Sequence, residues 1–207
     1  MYIKICGLST PETLTAAVQA GADAVGFLLA PGYARTVSPE QVRELLPLVS
    51  DGVETVGVFR NQPLDVVLDG ARAAGVQTVQ LHGHEPDSDV EALERDGFGT
   101  LRAFSAGAFA ALPPSEREFW ANRRLLLDAV NPGEGVPFDP ALLHGGHPEG
   151  FWLLAGGLTP DNVAGLVSRL RPSGVDVSSG VEERRGVKSV RLIEEFISAV
   201  RAHSAND

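Results

Sequence analysis

The stretch MYIKICGLSTPETLTAAVQAGADAVGFLL (residues 1–29) contains one complete strand–helix–strand unit. Tyr2–Ile5 is rich in β-formers, and Ala24–Leu29 is wholly apolar, as a parallel strand covered on both faces requires; a half-exposed strand would alternate. Between them, Thr10-Pro11 sets a capping hydroxyl before a first-turn proline. Thr13–Ala20 carries a helical pattern, and Gly21 marks its stop.

Outward from this unit the same alternation recurs to the end of the chain. Strand-like runs are Thr55–Phe59, Thr78–Leu81, Thr100–Phe104, Leu125–Ala129, Phe151–Ala155 and Val175–Ser178. Helical patterns cover Glu40–Val49, Pro63–Ala74, Asp87–Arg95, Pro160–Leu170 and Lys188–Arg201, with weaker ones at Ser115–Asn122 and Asp139–His147. Ser38-Pro39-Glu40-Gln41 has capping-box spacing, Thr159-Pro160-Asp161 repeats the start signal, and Gly75 marks another stop. Ala106–Pro114 reads as a loop. Eight strand–helix units in 207 residues predict an α/β fold, a (β/α)₈ TIM barrel with a closed parallel sheet, as a single domain over 1–207. An open doubly wound sheet is the alternative, because strand order is not written in the sequence.

Apolar residues make up 43% of the chain, enough for a continuous core, and charged residues 21%. A net charge of -10 disfavours a nucleic-acid binder, which needs a basic stripe. It leaves room for a small anionic substrate held by backbone N–H groups. The single cysteine removes an internal disulfide and a multi-cysteine metal site, and His82-Gly83-His84 has no third ligand at zinc spacing. No signal peptide or membrane-length apolar run is found, so a cytoplasmic protein with no membrane partner is expected.

In a barrel, chemistry collects at the C-terminal ends of the strands. Those ends present Cys6-Gly7, Arg35, Arg60-Asn61, His82-Gly83, Ser105, Asp128, Gly156-Gly157 and Ser178-Ser179-Gly180. Cys6 is either a small buried hydrophobe or a rim thiol; Lys4, two residues back on the same face, supplies positive charge that would lower its pKa. Asp128 ends an apolar run, as a cap for nearby N–H groups or as a working carboxyl that burial keeps protonated. Gly156-Gly157 and Ser179-Gly180 suit a phosphate nest, or are plain tight turns. Arg35 is a solvated arginine or a fork for a carboxylate. His82 is a hydrogen-bonded core histidine or a substrate contact, and Glu182-Glu183 and Glu194-Glu195 read as solvated surface.

Taken together, Lys4-Ile5-Cys6-Gly7-Leu8, Val79-Gln80-Leu81-His82-Gly83, Leu125-Leu126-Leu127-Asp128, Leu154-Ala155-Gly156-Gly157-Leu158 and Asp176-Val177-Ser178-Ser179-Gly180-Val181-Glu182 resemble the phosphoribosylanthranilate isomerase family of tryptophan biosynthesis. The matching pieces run through the chain in family order, with Gly26-Phe27-Leu28-Leu29, Val56-Gly57-Val58-Phe59 and Gly186-Val187-Lys188 among them. The resemblance implies a phosphate-binding barrel without cofactor or metal. It would carry out the Amadori rearrangement of N-(5-phosphoribosyl)anthranilate to 1-(2-carboxyphenylamino)-1-deoxyribulose 5-phosphate. It further implies Cys6 as general base and Asp128 as general acid. Lys4, Arg35 and His82 would meet the substrate, Arg35 at the anthranilate carboxylate. Gly156, Gly157, Ser179 and Gly180 would hold the phosphate. The expected partner is that small anionic phosphosugar-anthranilate, bound by a monomer or homodimer. Two departures stand out: Gly32-Tyr33-Ala34 precedes Arg35 where the family usually has serine and proline, and Pro132-Gly133-Glu134-Gly135 follows the strand-6 acid. Another phosphosugar barrel or a non-catalytic phosphate-binding barrel are the rival readings.

Overall fold

The structure, a computed structural model, describes residues 1–128, 143 and 147–204. Its strands β1 (Tyr2–Cys6), β2 (Ala24–Leu28), β3 (Glu54–Phe59), β4 (Thr78–Leu81), β5 (Gly99–Ser105), β6 (Leu125–Asp128), β7 (Trp152–Leu154) and β8 (Gly174–Val177) pair in sequence order as parallel neighbours. β8 returns to β1 with Lys4 opposite Asp176, so the sheet is a closed barrel and the open-sheet alternative falls.

Helices α1 (Pro11–Gln19), α2 (Pro39–Leu45), α3 (Leu64–Ala74), α4 (Asp87–Arg95), α5 (Ala106–Ala111), α6 (Pro114–Trp120), α7 (Val163–Leu170) and α8 (Val190–Ser204) surround it. The start signals operate as local chemistry. Thr13 N–H donates to the Thr10 hydroxyl, and Ser38 and Gln41 close a reciprocal capping box, each contributing about 1 kcal/mol. Gly75 ends α3 in the left-handed conformation, φ 77°.

The segment 106–114 is not a loop. Ser105 caps Ala108 N–H, an alanine-rich turn forms α5, and Phe109 buries against the core. The helix expected from Pro160 begins at Val163, because Asn162 Oδ1 takes the Thr159 N–H and holds residues 160–162 in a turn. Lys188 belongs to a small antiparallel hairpin, β9 (Glu182–Arg184) with β10 (Val187–Lys188), rather than to α8. Ala129, the loop Pro132–Gly135 and the expected helix Asp139–His147, apart from residues 143 and 147, lie outside the described residues.

Outward-facing strand residues (Ile3, Ile5, Val25, Phe27, Val79, Leu127, Val175) pack under the helices in one continuous core. Inward-facing residues fill the lumen in ascending layers. At the lower end Glu54 carries a polar plug. It accepts from Arg124 Nη1 and Nη2 at 2.6 and 2.8 Å and from the hydroxyls of Tyr2 and Thr78, tying β1, β3, β4 and the start of β6 together. Burial alone would raise the Glu54 carboxyl, but Arg124 and the two hydroxyls outweigh it and set its pKa at about 2. The upper end holds the rim groups.

Because this folded-state pKa lies below the ordinary carboxylate value, Glu54 contributes stability that is complete above about pH 4.5 and lost as pH falls toward 2. Glu54→Gln is expected to cost on the order of 1–3 kcal/mol in urea unfolding at neutral pH, with the gap from the unaltered protein narrowing as pH drops through that window.

Candidate active site

The upper rim encloses a cavity lined by Cys6 of β1, Arg35, His82, Asp128 of β6, and the glycine loops after β7 and β8. β7 and β8 separate Cys6 from Asp128 on the shorter way round the barrel. Arg60, Tyr33 and Gln80 also line it, and the first two meet by cation–π contact at 5.9 Å. Of the residues singled out in the sequence, Cys6, Asp128, Arg35, His82, Gly156, Gly157, Ser179 and Gly180 meet at this one mouth.

Lys4 does not. It is 0% exposed and lies in the lumen below the cavity, because an inward residue two positions before the strand end sits one layer down. The sequence offered it as a substrate contact; in the structure its Nζ donates to Asp176 Oδ1 at 2.8 Å and Gln80 Oε1 at 2.9 Å. Burial pulls the ammonium down, yet Asp176 and Cys6 more than compensate and its pKa ends above the usual lysine value. Gly26 of β2 makes room for this arrangement. A Cβ there would stand 3.0 Å from Cys6 Sγ and 3.2 Å from Lys4 Cε.

The Cys6 thiol is also pushed up, not lowered. Burial is the largest cause, and Lys4 and Lys188 only partly oppose it. At 9% exposure it opens to the cavity through one edge.

Arg35 is not solvated. Its Nε and Nη2 fork onto Glu182 at 2.5 and 2.9 Å, and Glu182 in turn takes Lys188 Nζ at 3.1 Å. Reading Glu182 as solvated surface is therefore corrected: its side chain is 4% exposed, and Arg35 together with Lys188 holds its carboxyl below the usual range against the effect of burial. Burial draws the Lys188 ammonium down; Nζ also donates to Ser178 O at 2.8 Å, bracing the loop after β8. Glu183 is exposed, as expected.

The glycine loops form the far end. Gly156 and Gly157 have φ of 91° and 62°, a region L side chains avoid. Among the described residues no acceptor takes their amide N–H groups. Residues 179–181 form a short 3₁₀ turn whose first amides have no partner inside the turn. The two loops touch: a Cβ on Gly180 would lie 1.6 Å from the Leu158 carbonyl oxygen. Asn162 fixes the first loop by donating to Gly157 O at 2.9 Å. Backbone donors of this kind, gathered at one end of a cavity, can hold an anion.

His82 is held between two partners. Its Nδ1 is 2.8 Å from Gln80 Nε2 and its Nε2 is 3.3 Å from Asp128 Oδ2. The loop that carries it is anchored by Glu85, which accepts from Gly83 N–H at 2.8 Å, Asn61 N–H at 2.6 Å and Arg102 Nη1 at 2.6 Å.

Gln80, Asp176, Glu182, Lys188 and Asn162 were not picked out in the sequence as site residues. An inward position on a strand signals Gln80 and Asp176; nothing local signals Glu182, whose neighbours Glu183 and Arg184 are exposed. Gly180→Ala is expected to force the two loops apart. If the loops hold phosphate, inorganic phosphate should raise the melting temperature of the unaltered protein, and that rise should disappear in the variant.

Comparison with known proteins points in one direction. The sequence model for N-(5'phosphoribosyl)anthranilate (PRA) isomerase matches residues 3–199. The N-(5'-phosphoribosyl)anthranilate isomerase of Deinococcus radiodurans is 43% identical over 202 residues, covering 96% of each chain. The crystal structure of TrpF from Jonesia denitrificans superposes with a TM-score of 0.87 at 40% identity over 100% of both chains. A phosphoribosyl anthranilate isomerase in complex with reduced 1-(o-carboxyphenylamino)-1-deoxyribulose 5-phosphate superposes at 0.78 with 31% identity, over 98% of this chain and 99% of that one.

Proposed function

The chain belongs to the N-(5'-phosphoribosyl)anthranilate isomerase family, and from that premise we propose that Cys6 and Asp128 are the base and acid of its reaction. The protein is an isomerase of tryptophan biosynthesis, acting on N-(5'-phosphoribosyl)anthranilate. Residues 1–207 act as one catalytic barrel.

The observation that supports the assignment best is a shared cavity. A thiol on β1 and a carboxyl on β6 face one space whose end is a cluster of unpaired backbone amides. The substrate's phosphate occupies that cluster and fixes the sugar between the two side chains. Asp128 gives its proton to the furanose ring oxygen as the anthranilate nitrogen pushes its lone pair toward C1. The ring C1–O bond breaks, leaving an iminium at C1 and a hydroxyl where the ring oxygen was. The Cys6 thiolate removes the C2 proton. The electrons of that C–H bond form the C1=C2 double bond and neutralise nitrogen, giving an enolamine. The Cys6 thiol returns its proton to C1 while the C2 hydroxyl releases its own, which restores the Asp128 carboxyl; the ketone forms, and atoms and electrons balance without a redox partner. Each proton transfer contributes roughly 10²–10⁴ in rate.

Arg35, oriented by Glu182, presents the rest of its guanidinium to the anthranilate carboxylate. Lys4 acts from below, through the charge it places beside Cys6. No helix among the described residues is long and apolar enough to cross a membrane.

Loss of substrate fluorescence measures turnover. Cys6→Ser and Asp128→Asn are each expected to lower kcat by at least about 10²-fold with the melting temperature little changed; unaltered turnover in either variant removes that residue's role. Because burial raises the Cys6 thiol and the base works deprotonated, kcat/KM should climb with pH through and above the neutral range. Cys6→Asp, with a carboxylate in its place, should be slower and move that climb to lower pH.

A further inference from the structure

We propose that Gln80 is a positioning residue that fixes the tautomer of His82, and through it which oxygen of Asp128 carries the transferable proton. The inference rests on the assignment of Asp128 as the acid. It starts from a chemical asymmetry. A lysine ammonium has three donors and no acceptor. Lys4 Nζ contacts Gln80 at 2.9 Å, so the amide atom facing it is the carbonyl oxygen, and an amide whose orientation is usually ambiguous has only one here. The amide NH₂ then points to His82 Nδ1 at 2.8 Å. That nitrogen has no acceptor, so Nδ1 accepts and carries no proton. The one proton of the neutral ring is on Nε2, which lies 3.3 Å from Asp128 Oδ2 and faces it.

Three consequences follow from this line of contacts. Oδ2 faces the N–H side of the ring, which assigns the proton that Asp128 transfers to Oδ1. The Nδ1–H tautomer of His82 is disfavoured, because a proton there would face two amide hydrogens. An imidazolium beside Asp128 would favour the ionised carboxylate, the wrong state for a proton donor. The line also joins the two halves of the reaction. Lys4, which contacts Gln80, is the same ammonium that lies under Cys6. Gln80 is 1% exposed and Lys4 0%, so bulk water does not compete for the bond between them, whereas His82 faces the cavity.

Long-range ¹H–¹⁵N correlation of histidine-labelled protein reads the tautomer directly, with the His82 signals assigned by their loss in His82→Gln. The expected pattern in the unaltered, ligand-free protein at neutral pH is a neutral ring protonated at Nε2. In Gln80→Glu one carboxylate oxygen keeps the Lys4 contact and the other accepts, so Nδ1 gains a proton. The spectrum moves to the imidazolium or Nδ1–H form, and kcat falls about 10–100-fold while KM stays within about threefold. An Nδ1–H or imidazolium ring in the unaltered protein overturns the inference, and that measurement needs no variant to fold. An unshifted spectrum or unchanged kcat in a folded Gln80→Glu protein overturns it as well. An unaltered protein with the expected tautomer but no isomerase turnover instead overturns the functional reading, leaving the tautomer assignment in place.

Discussion

A lysine ammonium sealed inside a barrel must be paired, since an isolated ion in such surroundings costs several kcal/mol even after relaxation. Lys4 meets that demand with a carboxylate on the adjoining strand and an amide on the far side of the lumen. Much of the upper barrel follows from it. Asp176 stands in register with Lys4, Gln80 has its amide turned one way only, and β2 carries a glycine where a Cβ would crowd Cys6 and Lys4. The pairing holds in place a positive charge beneath the thiol that faces the cavity.

The same layer explains how an acidic protein handles an anionic ligand. The net charge is -10, yet Lys4, Lys188, Arg35 and Arg60 gather at or below one mouth, and the glycine loops add unpaired amides. Field strength in a cleft depends on local groups and low-dielectric walls more than on net charge. Three of the four cations are held by neighbours: Lys4 by Asp176, Arg35 and Lys188 both by Glu182. They are therefore positioned before any ligand arrives, which limits the ordering cost of binding. Lower down, Glu54 closes the opposite end of the lumen, so stability and chemistry occupy separate ends of one barrel.

The strands were legible because burial on both faces leaves a nearly continuous apolar run, and Thr78–Leu81 and Asp87–Arg95 fall where the pattern put them. Segment 106–114 was not, since Ala-Gly-Ala-Phe-Ala-Ala has too little polar contrast to show a helical face; α5 forms because Ser105 caps it and Phe109 finds the core. Glu182 looked solvated because its chain neighbours are. Its burial comes from Arg35 and from Lys188, which are distant in sequence or across a hairpin. The Cys6 thiol went the other way from the expectation based on Lys4, because desolvation at a closed strand end exceeds the pull of the amine.

The sequence by itself determined the succession of strands and helices, the caps that start them, and the presence of a thiol, a carboxyl and two glycine loops at strand ends. Those are local properties, set by side-chain period, turn chemistry and position within a strand. Only the closed tertiary structure decided that Lys4 lies under the site rather than in it, that Glu182 grips Arg35, and that Gln80 and His82 link the lumen to Asp128. Each of these depends on strands meeting across the barrel or on neighbours far apart in the chain, and a side chain's partners there are fixed by register and closure, which no local pattern encodes.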